Sequence, residues 1–199
     1  MSCFPLCIEM KNAVVFLCGS GRLAEEKLEK LLSFEADIIL FSEHDVAGSC
    51  HPQVKRFKRK LQESDLITRP AFVIAAEEEW EENRRISNLC RERNIPINAV
   101  DIPSLCSFYF PALIRRGEVT LSISTGGKSP MAASVLRKRL EDAVPDRLED
   151  ILDWSAELRQ KLSETIPDQK QRREVLRRAI SQAMEENRIL SEEEIESLQ

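Results

Sequence analysis

A short apolar run that ends in two closely spaced glycines constrains this chain most. In "VVFLCGSGRLAEEKLEKLL", residues 14–32, the first five positions are apolar and partly β-branched, as in a buried strand, and Gly19-Ser20-Gly21 cuts them off. Ala24, Leu28, Leu31 and Leu32 then recur at helical spacing, so a helix over residues 21–34 is expected. The turn between them, Gly19-Ser20-Gly21-Arg22-Leu23-Ala24, reads G-x-G-x-x-A. The first glycine makes the tight turn, the second lets backbone approach a pyrophosphate, and Ala24 is small enough for the helix to pack on the strand. The unpaired N–H groups at the helix start face the phosphates. A second buried strand over residues 38–41 leads to Glu43, 22 residues after Gly21. An acid there accepts hydrogen bonds from the ribose hydroxyls and repels a 2′-phosphate, so the pattern predicts a dinucleotide site that prefers NAD. The alternative is an ordinary βαβ turn with no ligand.

More strands extend the unit. "FVIAA" (72–76) and "IPINAV" (95–100) are apolar, with Pro96 tolerated only near the strand start. Residues 54–61 fit either a short strand or a helical turn. A helix over residues 79–93 is expected, with Trp80, Ile86, Leu89 and Cys90 sharing one face. Apolar strands alternating with helices describe an α/β protein, with a Rossmann-type parallel sheet covered on both faces, over residues 1–113. A later strand (119–124) ends at TGGKSP, where Ser129 is placed to cap a helix with Pro130 at its first position. Residues 114–146 form this second segment. Apolar residues on its strand and helix have no obvious partner within the chain, which predicts a homodimer and a dimerisation segment. No glycine follows Gly127, and helices over 147–163, 168–187 and 191–198 make a small all-α C-terminal domain, 147–199. Ser191 and Glu194 fit a capping box.

Composition matters mainly for what it excludes. A net charge of −5 gives no reason to expect nucleic acid. No apolar run approaches the roughly 18 residues that a membrane span needs. The N-terminus, MSCFPLCIEMK, lacks a basic start and an apolar core, so no secretion signal is expected. Six cysteines without paired spacing read as reduced, mostly buried thiols in a cytoplasmic protein. His44 and His51 fall in a loop without matching ligands, so no metal site is expected.

The stretch "NIPINAVDIPSLCSFYFPALIRRGEVTLSISTGGKSPMAASVLRKRLE" (94–141) resembles the precorrin-2 dehydrogenase family, which is also the N-terminal half of siroheme synthase. Asn98, Asp101, Phe108, Pro111, Arg116-Gly117, Ser124-Thr125-Gly126-Gly127, Ser129-Pro130, Arg137 and Arg139 carry the likeness. "FPLCIEMKNAVVFLCGSGRLA" is similar to the family's opening. The resemblance implies an NAD-binding domain, a dimerisation segment, and oxidation of precorrin-2 to sirohydrochlorin on the route to siroheme. Some members also insert iron.

On that resemblance, Gly19, Ser20, Gly21, Arg22, Leu23, Glu43, His44 and Ala76 hold the cofactor, and Asp101 is the catalytic residue. Asp101 also follows a strand at the carboxyl edge of the expected sheet, where a carboxylate in a partly dry cleft can accept a proton. The substrate carries eight carboxylates. Thr125, Gly126 and Gly127 offer a backbone nest for one of them, and Arg116 and Lys128 offer charge. Two departures stand out. Ser20 replaces the middle of three glycines, which a negative φ would permit. Glu77 replaces a small residue beside the cofactor and opens the run EEEWEE. The alternatives are a bifunctional dehydrogenase and ferrochelatase, and a decayed module that binds NAD or tetrapyrrole without turnover.

Overall fold

Val14–Gly19 (β1), Asp37–Phe41 (β2), Val54–Phe57 (β3), Phe72–Ala76 (β4) and Ile97–Ala99 (β5) form one parallel sheet, ordered β3-β2-β1-β4-β5. The computed structural model describes residues 3–198, which divide into two compact units, residues 4–110 and those from 111 onward. The sheet belongs to the first unit. Because side chains alternate along a strand, β1 feeds two cores. Val15 and Leu17 join Ala24, Leu28 and Leu31 of helix Gly21–Leu32 (α1), together with Ile38, Leu40 and Ile74. Phe16 and Cys18 join Ile86 and Cys90 of helix Trp80–Glu92 (α2), with Phe41, Val73 and Ile97. Every residue of β4 is buried.

The order reverses beside β1. The chain leaves β1 towards β2 and β3 on one side, then returns to β4 on the other. Such a reversal opens a crevice at the carboxyl ends of the strands. Residues 54–57 are the strand alternative of the two readings, and they form an edge whose Lys55 and Arg56 discourage further strand pairing.

The second unit begins with an antiparallel hairpin, Ala112–Arg116 (β6) and Val119–Ile123 (β7), followed by helix Pro130–Glu141 (α3). Ser129 caps α3 as expected, its Oγ accepting from the Ala132 N–H at 3.1 Å. Helices Leu148–Thr165 (α4), Gln169–Glu186 (α5) and Glu192–Ser197 (α6) complete it. Val175, Ala179 and Ala183 recur every fourth residue on α5 and pack with Ile151, Leu158 and Leu162 of α4. The Ser191 and Glu194 capping box is present. Among the described residues, no helix is long and apolar enough to cross a membrane.

Two expectations need correction. Trp80 is 47% exposed, whereas half-buried Leu89 packs against the core with Ile86 and Cys90 as expected. At about 100° per residue, Trp80 lies well off the line of Ile86 and Cys90. The buried stripe of α2 is Glu82, Asn83, Ile86, Ser87 and Cys90, and Trp80 instead meets the Arg84 guanidinium. The thiols are free but not mostly buried. Cys18 and Cys90 are buried and Cys106 is partly so, whereas Cys3, Cys7 and Cys50 lie exposed in irregular segments.

Candidate functional site at the carboxyl edge of the sheet

The turn after β1 shows why its two glycines differ. Gly19 has φ +123°, and a Cβ there would sit 2.2 Å from the Ala76 carbonyl oxygen and 2.9 Å from the Glu77 nitrogen. Gly19 is therefore the point where β1 and β4 come too close for any side chain. Gly21 has φ +70°, and its nearest neighbour on that side is a Glu78 carboxylate oxygen at 3.8 Å. A side chain there would make only an ordinary van der Waals contact. Ser20 between them is extended (φ −142°), so the replaced glycine costs no strain, and its side chain makes no capping bond to α1. The first turn of α1 also holds no acid. Its early N–H groups thus remain available to an anion, which fits a diphosphate.

Around this turn a cleft of about 110 Å³ is lined by Ser20, Ser42, Glu43, His44, Lys60, Glu77, Glu78 and Glu79. Glu43 and His44 are exposed just past the end of β2. The Ser42 hydroxyl donates to the His44 carbonyl at 2.8 Å and so fixes that bend. Ala76 is buried beneath the glycine turn. Arg22 is exposed and pairs with Glu26 one turn on, 3.1 Å away. Leu23 packs on the α1 side of the core rather than standing free in the cleft.

Glu77 is the residue whose chemistry the fold changes most. Burial pushes its carboxyl up to about 7, helped by the charges of Glu82, Glu43 and Glu79 and opposed by Lys60. Its backbone is fixed from α2. The Glu77 N–H donates to Asn83 Oδ1 (3.2 Å), and Asn83 Nδ2 donates to the carbonyls of Glu77 (2.8 Å) and Glu79 (3.2 Å). Asn83 was missed from the sequence, although its spacing to Ile86 and Cys90 marked it as a polar residue on a buried stripe. Glu82 is held by Arg85 (2.6 Å and 2.9 Å), whose guanidinium also donates to the Leu61 carbonyl. Lys60, also missed, sits 3.6 Å from Glu79, and the surrounding acids, Glu79 first, raise its pKa.

Asp101 stands two residues past β5, with φ +61°. It is exposed, not partly dry as expected, and it does not line the cleft around Ser20. Its loop is anchored beneath it: buried Asn98 donates to the Phe108 carbonyl (3.0 Å), and buried Ser87 donates to that of Leu105 (2.8 Å).

The remaining expected residues belong to the second unit. Thr125 Oγ1 donates to the Ser129 carbonyl (3.0 Å) and accepts from the Ser129 N–H (3.3 Å). The Lys128 N–H donates to the Thr125 carbonyl (3.2 Å), and that of Gly126 to Ser124 Oγ (3.3 Å). Of the three residues of the expected nest, Gly126 thus turns its N–H back into the turn, and Gly126 and Gly127 are both left-handed. Lys128 is exposed. Arg116 is half-buried, with Glu141 3.9 Å away.

A parallel β3-β2-β1-β4-β5 sheet, a glycine turn opening on the crevice and an acid past β2 define a Rossmann-type dinucleotide-binding domain. Residues 6–112 match the family model described as "Putative NAD(P)-binding", and residues 116–143 match "Sirohaem biosynthesis protein central". The chain belongs to this NAD(P)-binding family. It is 30% identical to the siroheme synthase of Methylococcus capsulatus and 32% identical to that of Thioalkalivibrio sulfidiphilus, over 90% and 87% of its own length. It spans only 39% and 36% of those two proteins. It is 32% identical to the siroheme biosynthesis protein met8 of Schizosaccharomyces pombe, over 82% of this chain and 64% of that one. Its fold is similar to that of "SirC, precorrin-2 dehydrogenase", with a TM-score of 0.75 and 19% identity, covering 98% of this chain and 96% of that one.

Proposed function

We propose that the chain is a precorrin-2 dehydrogenase, oxidising precorrin-2 to sirohydrochlorin with NAD⁺ as hydride acceptor. One observation carries the reading: an NAD(P)-binding match over residues 6–112 runs directly into a siroheme-biosynthesis match over residues 116–143.

The dinucleotide, when bound, supplies the hydride acceptor. The chain's own residues do the rest. The turn Gly19-Ser20-Gly21-Arg22, followed by Leu23 in α1, holds the diphosphate through backbone N–H groups. Glu43 and His44 take the adenosine ribose, and Glu43 selects NAD by repelling a 2′-phosphate. Ala76, at the end of β4, leaves room beside the glycine turn for the nicotinamide end. Asp101 accepts the proton that leaves the substrate as the hydride departs. Arg116, Thr125, Gly126, Gly127 and Lys128 meet the carboxylates of the tetrapyrrole. Residues 114–146 bind a second copy of the chain, between the cofactor domain (1–113) and the helical domain (147–199). Six free thiols suit a cytoplasmic setting.

Purified protein with NAD⁺ and precorrin-2 should yield NADH and sirohydrochlorin in equal amounts. Protein that binds NAD⁺ yet forms neither product overturns the proposal. Sirohydrochlorin supplied with ferrous iron and no NAD⁺ separately tests iron insertion.

A further inference from the structure

Glu77 stands where a cofactor-binding domain should least want a negative charge. It follows β4 directly, its nitrogen lies against the Gly19 turn, and it lines the same cleft as Ser20. Asn83 holds its backbone from both sides, so the residue cannot easily swing away. An ionised carboxylate here would oppose the diphosphate expected on the turn. A neutral carboxyl carries an O–H that can donate to a phosphate oxygen.

We propose that Glu77 is a cofactor-binding residue in its protonated form, so that above neutral pH dinucleotide binding brings a proton from solvent into the cleft. The proposal rests on the dinucleotide reading above.

The charged groups facing Glu77 agree. Glu82 of α2, Glu43 past β2 and Glu79 of its own loop favour the neutral carboxyl. Lys60, past β3, is the cation that favours ionisation, and it is drawn towards Glu79 at 3.6 Å. Arg85 is committed to Glu82 and the Leu61 carbonyl. On the β1 side lies Cys18, whose thiol is held neutral by burial. In the free protein the Glu77 carboxyl sits at about 7, so it is balanced between its two forms near neutrality. A phosphate arriving beside it adds one more negative charge and drives it fully to the acid form. Dinucleotide affinity should then fall as pH rises through neutrality.

The experiment is calorimetric titration of NAD⁺ into the whole chain at pH 6 and pH 8, in two buffers of different ionisation enthalpy. At pH 8 wild type should take up close to one proton per NAD⁺ and bind about tenfold more weakly than at pH 6, one pH unit beyond the carboxyl's midpoint. Glu77→Gln keeps the shape and an N–H donor. It should take up no proton at pH 8 and should bind there as tightly as wild type does at pH 6. Three results overturn the proposal: pH-independent binding by wild type, a pH dependence that persists in Glu77→Gln and so belongs to another group, or loss of binding in Glu77→Gln. If folded wild type binds no NAD⁺ at either pH, the dinucleotide reading itself fails, and the Glu77 proposal falls with it.

Discussion

The parallel sheet and the hairpin–helix segment, β6 through α3, bury their apolar residues to different degrees. In the sheet, β1 supplies two cores, and all five residues of β4 are buried. In the hairpin and α3, Ile114 and Ala133 are the buried positions among the described residues of those three elements, while Met131 is 74% exposed and Val135, Leu136 and Leu140 exceed 40%. A two-stranded hairpin is marginal without something to pack against, and a cluster of exposed apolar side chains marks a surface made to be covered. The first region is complete in one copy of the chain. The second leaves apolar side chains uncovered, as the homodimer proposed above requires.

If the sheet edge is a working site laid over a finished core, function and stability should separate there. Asp101→Asn should lower the dehydrogenation rate by about 10²- to 10⁴-fold, with the melting temperature and NAD⁺ affinity unchanged. Asparagine is the better probe because Asp101 is left-handed (φ +61°), a conformation that asparagine tolerates and alanine does not. Near-wild-type turnover would return Asp101 to the role of a turn residue.

The two glycines sharpen the same point. Gly19→Ala drives a methyl into the β4 backbone, so urea unfolding should show a loss of about 3 kcal/mol or more from overpacking and strain together. Gly21→Ala makes an ordinary van der Waals contact and should cost only about 1 kcal/mol, from its positive φ. Equal losses would mean that the close approach of β1 to β4 is unimportant.

Cofactor choice is a smaller effect. Glu43→Gln should narrow the preference for NAD⁺ over NADP⁺ by about 1–3 kcal/mol, read as the ratio of dissociation constants. An unchanged ratio removes Glu43 from the ribose.

A further effect is the pH dependence of stability. The Glu77 carboxyl is raised from 4.5 to about 7 in the folded protein. Between those values the folded chain binds more protons than the unfolded chain, so the group's contribution to stability falls as pH rises and is fully lost above about 7. Glu77→Gln should therefore raise the unfolding midpoint at pH 8 and leave it unchanged at pH 4. A gain at pH 4 alone would reverse the sign and contradict the assignment.

Local signals were legible in the sequence. The strand–turn–helix around Gly19, the packing of Ala24, the Ser129 cap and the Ser191 capping box each depend on residues within a few positions. Ser20 is acceptable in the turn if its φ is negative, and it is, at −142°. What was hidden depends on distance or phase. Trp80 was misplaced because an apolar residue near the start of a helix need not share the phase of its later stripe. Residues 112–116 were not singled out as a strand because "ALIRR" turns charged halfway. The setting of Glu77 draws on α2, the end of β2 and the segment after β3, so no local window contains it. The exposure of Asp101 and the inward-facing hydrogen bonds of the Thr125 turn likewise follow from backbone conformations that the sequence does not display.

The contrast between a finished sheet and an unfinished hairpin–helix segment is tested most directly by hydrogen exchange at two protein concentrations, with sedimentation run alongside. Amides of β1 and β4 should be equally protected at both concentrations. Those of β6, β7 and α3 should gain protection as concentration rises and the 22.8 kDa chain gives way to a species of twice that mass. Equal protection of β6 through α3 at every dilution, with only the single-chain mass in sedimentation, would contradict it.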